Sequence, residues 1–122
     1  MPAERQPCDV VLEVAVDRPT PTVAVLRVSG DVDSSTVDRV RSALDAAVAA
    51  GAVDVVLDLA PVAFLGSAGL AMLVEQRTAA TTRGGRLRLA GPSRAVLRPL
   101  GLTGLLELFD VRDDAATAVA DL

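Results

Sequence analysis

The chain has 122 residues, 51% of them hydrophobic, and a formal net charge of −4; that length suits one domain with a core large enough to need no disulfide or metal. It has no histidine, a single cysteine and no lysine, so a Ser-His-Asp triad, a His-based metal site, a structural zinc site, an internal disulfide and a Gly-x-x-x-x-Gly-Lys phosphate loop are all excluded. Two phenylalanines are the only aromatics and the twelve arginines form no basic run, so neither a stacking platform nor a phosphate-tracking patch for nucleic acid is present.

Residues 1–9 read as a flexible lead-in. They are polar, carry no signal-peptide apolar segment and include Cys8. No apolar run approaches the roughly 20 residues needed to span a bilayer, so a cytoplasmic protein is expected. Val10 to Val16 is a first strand. Asp17 to Pro21, with two prolines, is a turn, and Thr22 to Val28 is a second strand antiparallel to the first. Ser35 with Asp38 resembles a capping box, and Val37, Val40, Leu44 and Val48 form one helical face that ends at Gly51.

Val53 to Leu59 has the length and β-branched content of a buried strand. Ala60-Pro61 ends it, a short crossing passes through Val62 and Phe64, and Gly66-Ser67-Ala68-Gly69 opens a second helix carrying Leu70, Leu73 and Val74. Gly84-Gly85 stops that helix. Arg86 to Ala90 is an alternating strand. Gly91-Pro92-Ser93 opens a third helix with Val96, Leu97 and Leu100, kept short or irregular by Pro99. Leu106 to Val111 is a last strand, and Asp113-Asp114 starts a terminal helix with Val119 and Leu122. The order β-β-α-β-α-β-α-β-α implies an α/β fold with a mixed, mostly parallel sheet, an antiparallel edge hairpin and four helices.

Ser67 stands where a helix N-cap belongs, with Gly66 and Gly69 leaving room for another molecule to approach. A plain capping role is one reading of it. A serine nucleophile is not, because Leu65-Gly66-Ser67-Ala68-Gly69 lacks the first glycine of a Gly-x-Ser-x-Gly elbow and no histidine is available as base. No enzymatic activity is expected.

These patterns resemble the STAS domain family (sulfate transporter and anti-sigma-factor antagonist), and within it the small bacterial anti-sigma-factor antagonists. Gly30-Asp31-Val32-Asp33 is similar to the family's Gly-x-Leu-Asp turn. Leu57-Asp58-Leu59 through Phe64 to Gly69-Leu70 is similar to its strand and Asp-Ser-Ser-Gly-Leu signature, with Gly66 in place of the acid and Ala68 in place of the second serine. The resemblance runs from Val10 to Leu122, so 10–122 is expected to form one STAS domain. It implies that Ser67 is phosphorylated by a partner, an anti-sigma factor with GHKL-type serine kinase activity, and that a phosphatase resets it. The implied partner-binding residues are Asp31, Asp33, Gly66, Ser67, Ala68, Gly69 and Met72. No cofactor or metal is implied. The alternative within the same fold is a non-switching STAS interaction or scaffold protein, such as a soluble component of a lipid-transport or stress-signalling complex.

Overall fold

A computed structural model describes residues 12–122. The expected lead-in at 1–9, Cys8, Val10 and Val11 lie outside the described residues. The elements are β1 (Leu12–Thr20), β2 (Val23–Val32), α1 (Val37–Ala49), β3 (Asp54–Asp58), β4 (Val62–Leu65), α2 (Ser67–Thr82), β5 (Leu87–Ala90), α3 (Arg94–Leu102), a 3-10 turn (Leu106–Leu108), β6 (Asp110–Arg112) and α4 (Ala115–Ala120). The sheet order is β1-β2-β3-β5-β6, with β4 also beside β2. Among the described residues the β1–β2 pair alone is antiparallel; β2–β3, β2–β4, β3–β5 and β5–β6 are parallel.

One sheet face carries Ala24, Leu26, Val28, Val55, Leu57 and Leu89. These pack with Val40 and Leu44 of α1, Leu73 of α2 and Leu100 of α3 in the main core. The other face holds a smaller cluster, where Val56 and Ala90 meet Ala118 of α4 with Val25 and Val119 beside them. Each buried aliphatic side chain of this size contributes about 1.5–3 kcal/mol.

β2 is longer than expected because it serves two neighbours in succession. Val23–Arg27 pairs with Asp54–Asp58 of β3, and Gly30–Val32 then pairs with Val62–Leu65 of β4. Pro61 lies between the two partners. It cannot donate to a ladder, but its carbonyl accepts from the Gly30 amide at 3.0 Å. Gly30, at φ +107°, absorbs the register shift at this point. The expected crossing at Val62 and Phe64 is therefore a strand, β4.

Other boundaries differ for local reasons. β1 runs through to Thr20 with an irregular register after Asp17, since an edge strand tolerates Pro19. The turn is reduced to Pro21-Thr22. The expected strand at 106–111 is a 3-10 turn followed by a three-residue strand, with Phe109 buried between them. α3 is short, as expected, and holds Pro99 inside its nine residues. Ala47 rather than Val48 completes the buried face of α1.

β5 alternates between the two sheet faces as expected, but both faces are covered and all four of its residues are buried. Leu87 and Leu89 face the main core, whereas Arg88 lies on the α4 side at 3% exposure. Its guanidinium donates to Asp110 at 3.0 Å, to the Ala118 carbonyl at 2.9 Å and to Asp121. α4 is thus pinned to the sheet by a buried cation whose carboxylate partners stay in solvent.

Candidate functional site

The β2–β4 pairing sets the site. Val32 is opposite Leu65 and Asp31 opposite Phe64. One step further, the Gly66 amide donates to the Val32 carbonyl at 2.9 Å. This bond fixes the end of β4 against β2, and the chain turns directly into α2. Gly66 is the N-cap, in extended conformation, and its carbonyl accepts from Leu70 at 3.1 Å to close the first turn.

Ser67 is therefore the first residue within the helix, not the expected N-cap. Its side chain is exposed, and its hydroxyl has no hydrogen-bond partner among the described residues. The amides of the first helical turn have no acceptor inside the helix and carry the positive end of its dipole. An uncommitted hydroxyl thus sits at an electropositive end of backbone.

The neighbours of Ser67 divide between surface and core. Ala68 is half-buried and packs against the core. Gly69 is buried, and a Cβ there would lie 2.5 Å from Leu65 Cδ1 and 3.0 Å from Val32 Cγ1. The glycine lets α2 approach β2 and β4 closely. Met72 is only 2% exposed and belongs to the core, so it holds the helix down and presents no surface to a partner. A methionine five residues after Ser67 lies far round the helix from it, which the sequence resemblance did not take into account. Phe64, one residue before the Leu65 that anchors β4, is 51% exposed beside this turn. Gly66 allows this approach, since a Cβ there would meet the Phe64 ring at 3.2 Å. The sequence places Phe64 in the crossing and in the family signature, but not on the partner surface. An aromatic at a non-core position of a strand was the signal available.

Asp33 caps α1. Its Oδ1 accepts from the amides of Ser35 at 2.9 Å and Thr36 at 3.1 Å and from the Ser35 hydroxyl at 2.7 Å. The Ser35 hydroxyl bond, then the Ser35 amide bond, holds the Asp33 carboxyl below the usual carboxylate range. The expected Ser35–Asp38 box is not made, because Asp38 pairs with Arg41 instead. Arg41 also bridges to Glu75 at 2.9 Å, which ties α1 to α2. The buried Thr36 was not foreseen. It donates to the Asp31 carbonyl at 2.7 Å and accepts from the Asp33 amide at 3.0 Å. Asp-Ser-Ser-Thr before an apolar face was its sequence signal. The Asp31 side chain is half-buried and has no hydrogen-bond partner among the described residues. Asp58 has a local role: it accepts from the Ala60 amide at 3.2 Å and faces Arg27 at 3.6 Å.

This arrangement resembles other proteins over most of its length. A sequence profile of the STAS domain matches residues 15–118. The chain belongs to the STAS domain family. Two curated relatives of this STAS domain are an anti-sigma F factor antagonist of Paenibacillus polymyxa, 28% identical over 82% of the chain and 86% of the relative, and the anti-sigma-F factor antagonist RsfB of Mycobacterium tuberculosis, 31% identical over 80% and 81%. A crystal structure of an anti-sigma factor antagonist from Mycobacterium paratuberculosis is similar at a TM-score of 0.78 and 32% identity, over 90% of this chain and 95% of that one. The unphosphorylated form of the antagonist SpoIIAA shares the fold, with a TM-score of 0.72 at 21% identity over 88% and 92% of the two chains. Among the described residues, no helix is long and apolar enough to cross a membrane.

Proposed function

We propose that this STAS domain is an anti-sigma-factor antagonist switched by phosphorylation of Ser67. The observation that carries the reading is the exposed Ser67 hydroxyl at the first position of α2, without a hydrogen-bond partner among the described residues, on a chain similar to antagonists along most of its length. The unmodified protein binds an anti-sigma factor of the GHKL kinase type through the surface around Asp31, Asp33, Phe64, Gly66 and Ser67, and the sigma factor is freed. The kinase then transfers the γ-phosphoryl group of ATP to Ser67 Oγ. An O–P bond forms, the bond to the β-phosphate breaks, the hydroxyl proton passes to a base on the kinase, and ADP leaves. A phosphatase later hydrolyses the ester. The protein is the substrate of both steps, acts in the cytoplasm and uses no cofactor of its own.

The physics of the site favours a change of surface over a change of fold. A phosphate at this position meets first-turn amides and the positive dipole end, so the helix tolerates it. It also adds about 1.5–2 negative charges near Asp31 and Asp33. A partner surface shaped for a neutral hydroxyl then meets repulsion and an unfavourable desolvation.

The test uses immobilised wild-type, Ser67→Ala and Ser67→Asp proteins, with captured anti-sigma factor identified by mass spectrometry and then incubated with ATP. Ser67→Ala should retain the partner, Ser67→Asp should lose it, and phosphate should map to the tryptic peptide 42–77 of the wild type. Ser42 is the other serine of that peptide, so a Ser42→Ala variant assigns the site. Equal capture by all three proteins, with no phosphate on Ser67, would instead make this a non-switching interaction protein.

A further inference from the structure

Charge is segregated along this chain. No acidic residue occurs between Glu75 and Glu107, whereas six arginines do: Arg77, Arg83, Arg86, Arg88, Arg94 and Arg98. Arg88 is buried and paired with Asp110 and Asp121, and Arg83 donates to the Val53 carbonyl at 3.0 Å. Arg77 and Arg86 are exposed without a carboxylate partner among the described residues; Arg94 and Arg98 share that property and sit together on one helix, α3.

They share the outer stripe of α3 with apolar side chains. Positions 94, 97, 98, 101 and 102 recur at three- and four-residue spacing, and all are exposed, while Val96 and Leu100 hold the opposite side in the core. Leu102 is 78% exposed and Leu97 37%. A shallow depression of about 420 Å³ lies among Arg94, Leu97 and Arg98. Leu108 continues the apolar surface, held by Arg77, whose Nε donates to its carbonyl at 2.6 Å. Glu107, next to Leu108 in the chain, is an exposed acid.

We infer that the outer stripe of α3 is a second docking surface, which takes an acidic segment of the anti-sigma factor carrying apolar side chains. Charge complementarity selects the occupant. Guanidiniums flanking a leucine suit carboxylates flanking an apolar anchor. A duplex is the poorer fit, since the chain as a whole carries a net charge of −4. Placement favours one continuous contact. α2 and α3 both follow parallel strands, so their N-termini lie at the same end of the sheet. The Ser93 hydroxyl, donating to the Val62 carbonyl at 2.7 Å, ties the start of α3 to the strand that delivers Ser67.

This inference rests on the antagonist reading for its partner, and the test separates the two. Purified anti-sigma factor, the one retained by Ser67→Ala protein, is titrated by biolayer interferometry against full-length variants at low and high salt. The double variant Arg94→Glu, Arg98→Glu should weaken binding by about tenfold, mainly through slower association, and flatten the salt dependence. Arg94→Lys with Arg98→Lys should stay within about threefold of wild type, and Leu102→Ser should weaken binding through faster dissociation. If the α3 variants bind like wild type while Ser67→Asp does not bind, the second surface is refuted and the switch stands. If the α3 variants lose binding and Ser67→Asp keeps it, the switch is refuted and the surface stands. A duplex DNA bound by wild type and lost in the glutamate variant, with anti-sigma binding unchanged, also refutes the proposed occupant.

Discussion

Replacing Ser67 should change binding without changing stability, and the structure says by how much. A serine that caps a helix loses about 1 kcal/mol on conversion to alanine. Here Gly66 holds the capping position and the Ser67 hydroxyl has no hydrogen-bond partner among the described residues, so that loss does not arise. Alanine also has the better helix propensity, by up to about 0.5 kcal/mol. Ser67→Ala should therefore lie within about 0.5 kcal/mol of wild type, which for a domain of this size is a Tm shift below about 2 °C. Ser67→Asp gains about 0.3–1 kcal/mol from the helix dipole and gives part of it back to Asp33 and Asp31. Urea unfolding followed by circular dichroism measures both. Equal stabilities would make any loss of partner by Ser67→Asp a local electrostatic effect. A loss above about 1 kcal/mol in Ser67→Ala would show that the hydroxyl is a structural cap after all, and the separation of switch from scaffold would fail.

Two further predictions concern the scaffold. Arg88→Ala should cost about 2–4 kcal/mol, because it leaves the Ala118 carbonyl without its donor and removes a packed stem, while Asp110 and Asp121 simply rehydrate. Arg88→Met keeps the stem and should cost about half as much; equal losses in urea unfolding would refute that division. The pH dependence follows from depressed carboxyls. Asp33 and Asp114 are lowered chiefly by hydrogen bonds from Ser35 and Thr117, Glu75 by Arg41, Asp110 by Arg112 and Asp121 by Arg88. Groups lowered by folding stabilise the protein above their unfolded pKa, about 4, and that stability is lost as pH falls through their folded values. With no histidine in the chain, unfolding midpoints should be level between about pH 5 and 8 and fall below about pH 4. A step near pH 6 would contradict this.

The sheet was legible in the sequence where hydrophobic period and length agree. Val53 to Leu59 reads as a buried strand and β3 occupies Asp54–Asp58 of it, and the 3.6-residue spacing of Val37, Val40 and Leu44 marks one buried helix face. Failures came where a contact across the sheet overrode a local signal. Ser29-Gly30 reads as the end of a strand, yet β2 continues because β4 offers a second partner past Pro61. Arg88 reads as the polar half of an alternation, yet α4 covers that side too. Leu106 to Val111 reads as one strand, but the chain makes a 3-10 turn at Leu106–Leu108 before entering the sheet edge at Asp110.

At the site, residue type was legible and geometry only in part. The glycines and Ser67 signalled a strand-to-helix turn, but serine and glycine both favour the N-cap, so their one-residue order was not decided by propensity. The order matters. At the N-cap the hydroxyl would be committed to a first-turn amide, and a modifying enzyme would first have to break that bond. At the first helical position, with Gly66 as cap, the hydroxyl is unoccupied and still beside the same amides. The Gly66 amide bond to Val32 is what sets this register, because it fixes how far β4 runs before α2 begins. Asp33 adds its charge one residue beyond the Val32 that holds Gly66, while its Oδ1 is spent on the amides of the turn before α1. The same strand pairing that builds the fold thus sets the exposed Ser67 hydroxyl at the positive end of α2, within reach of the turn that carries Asp33.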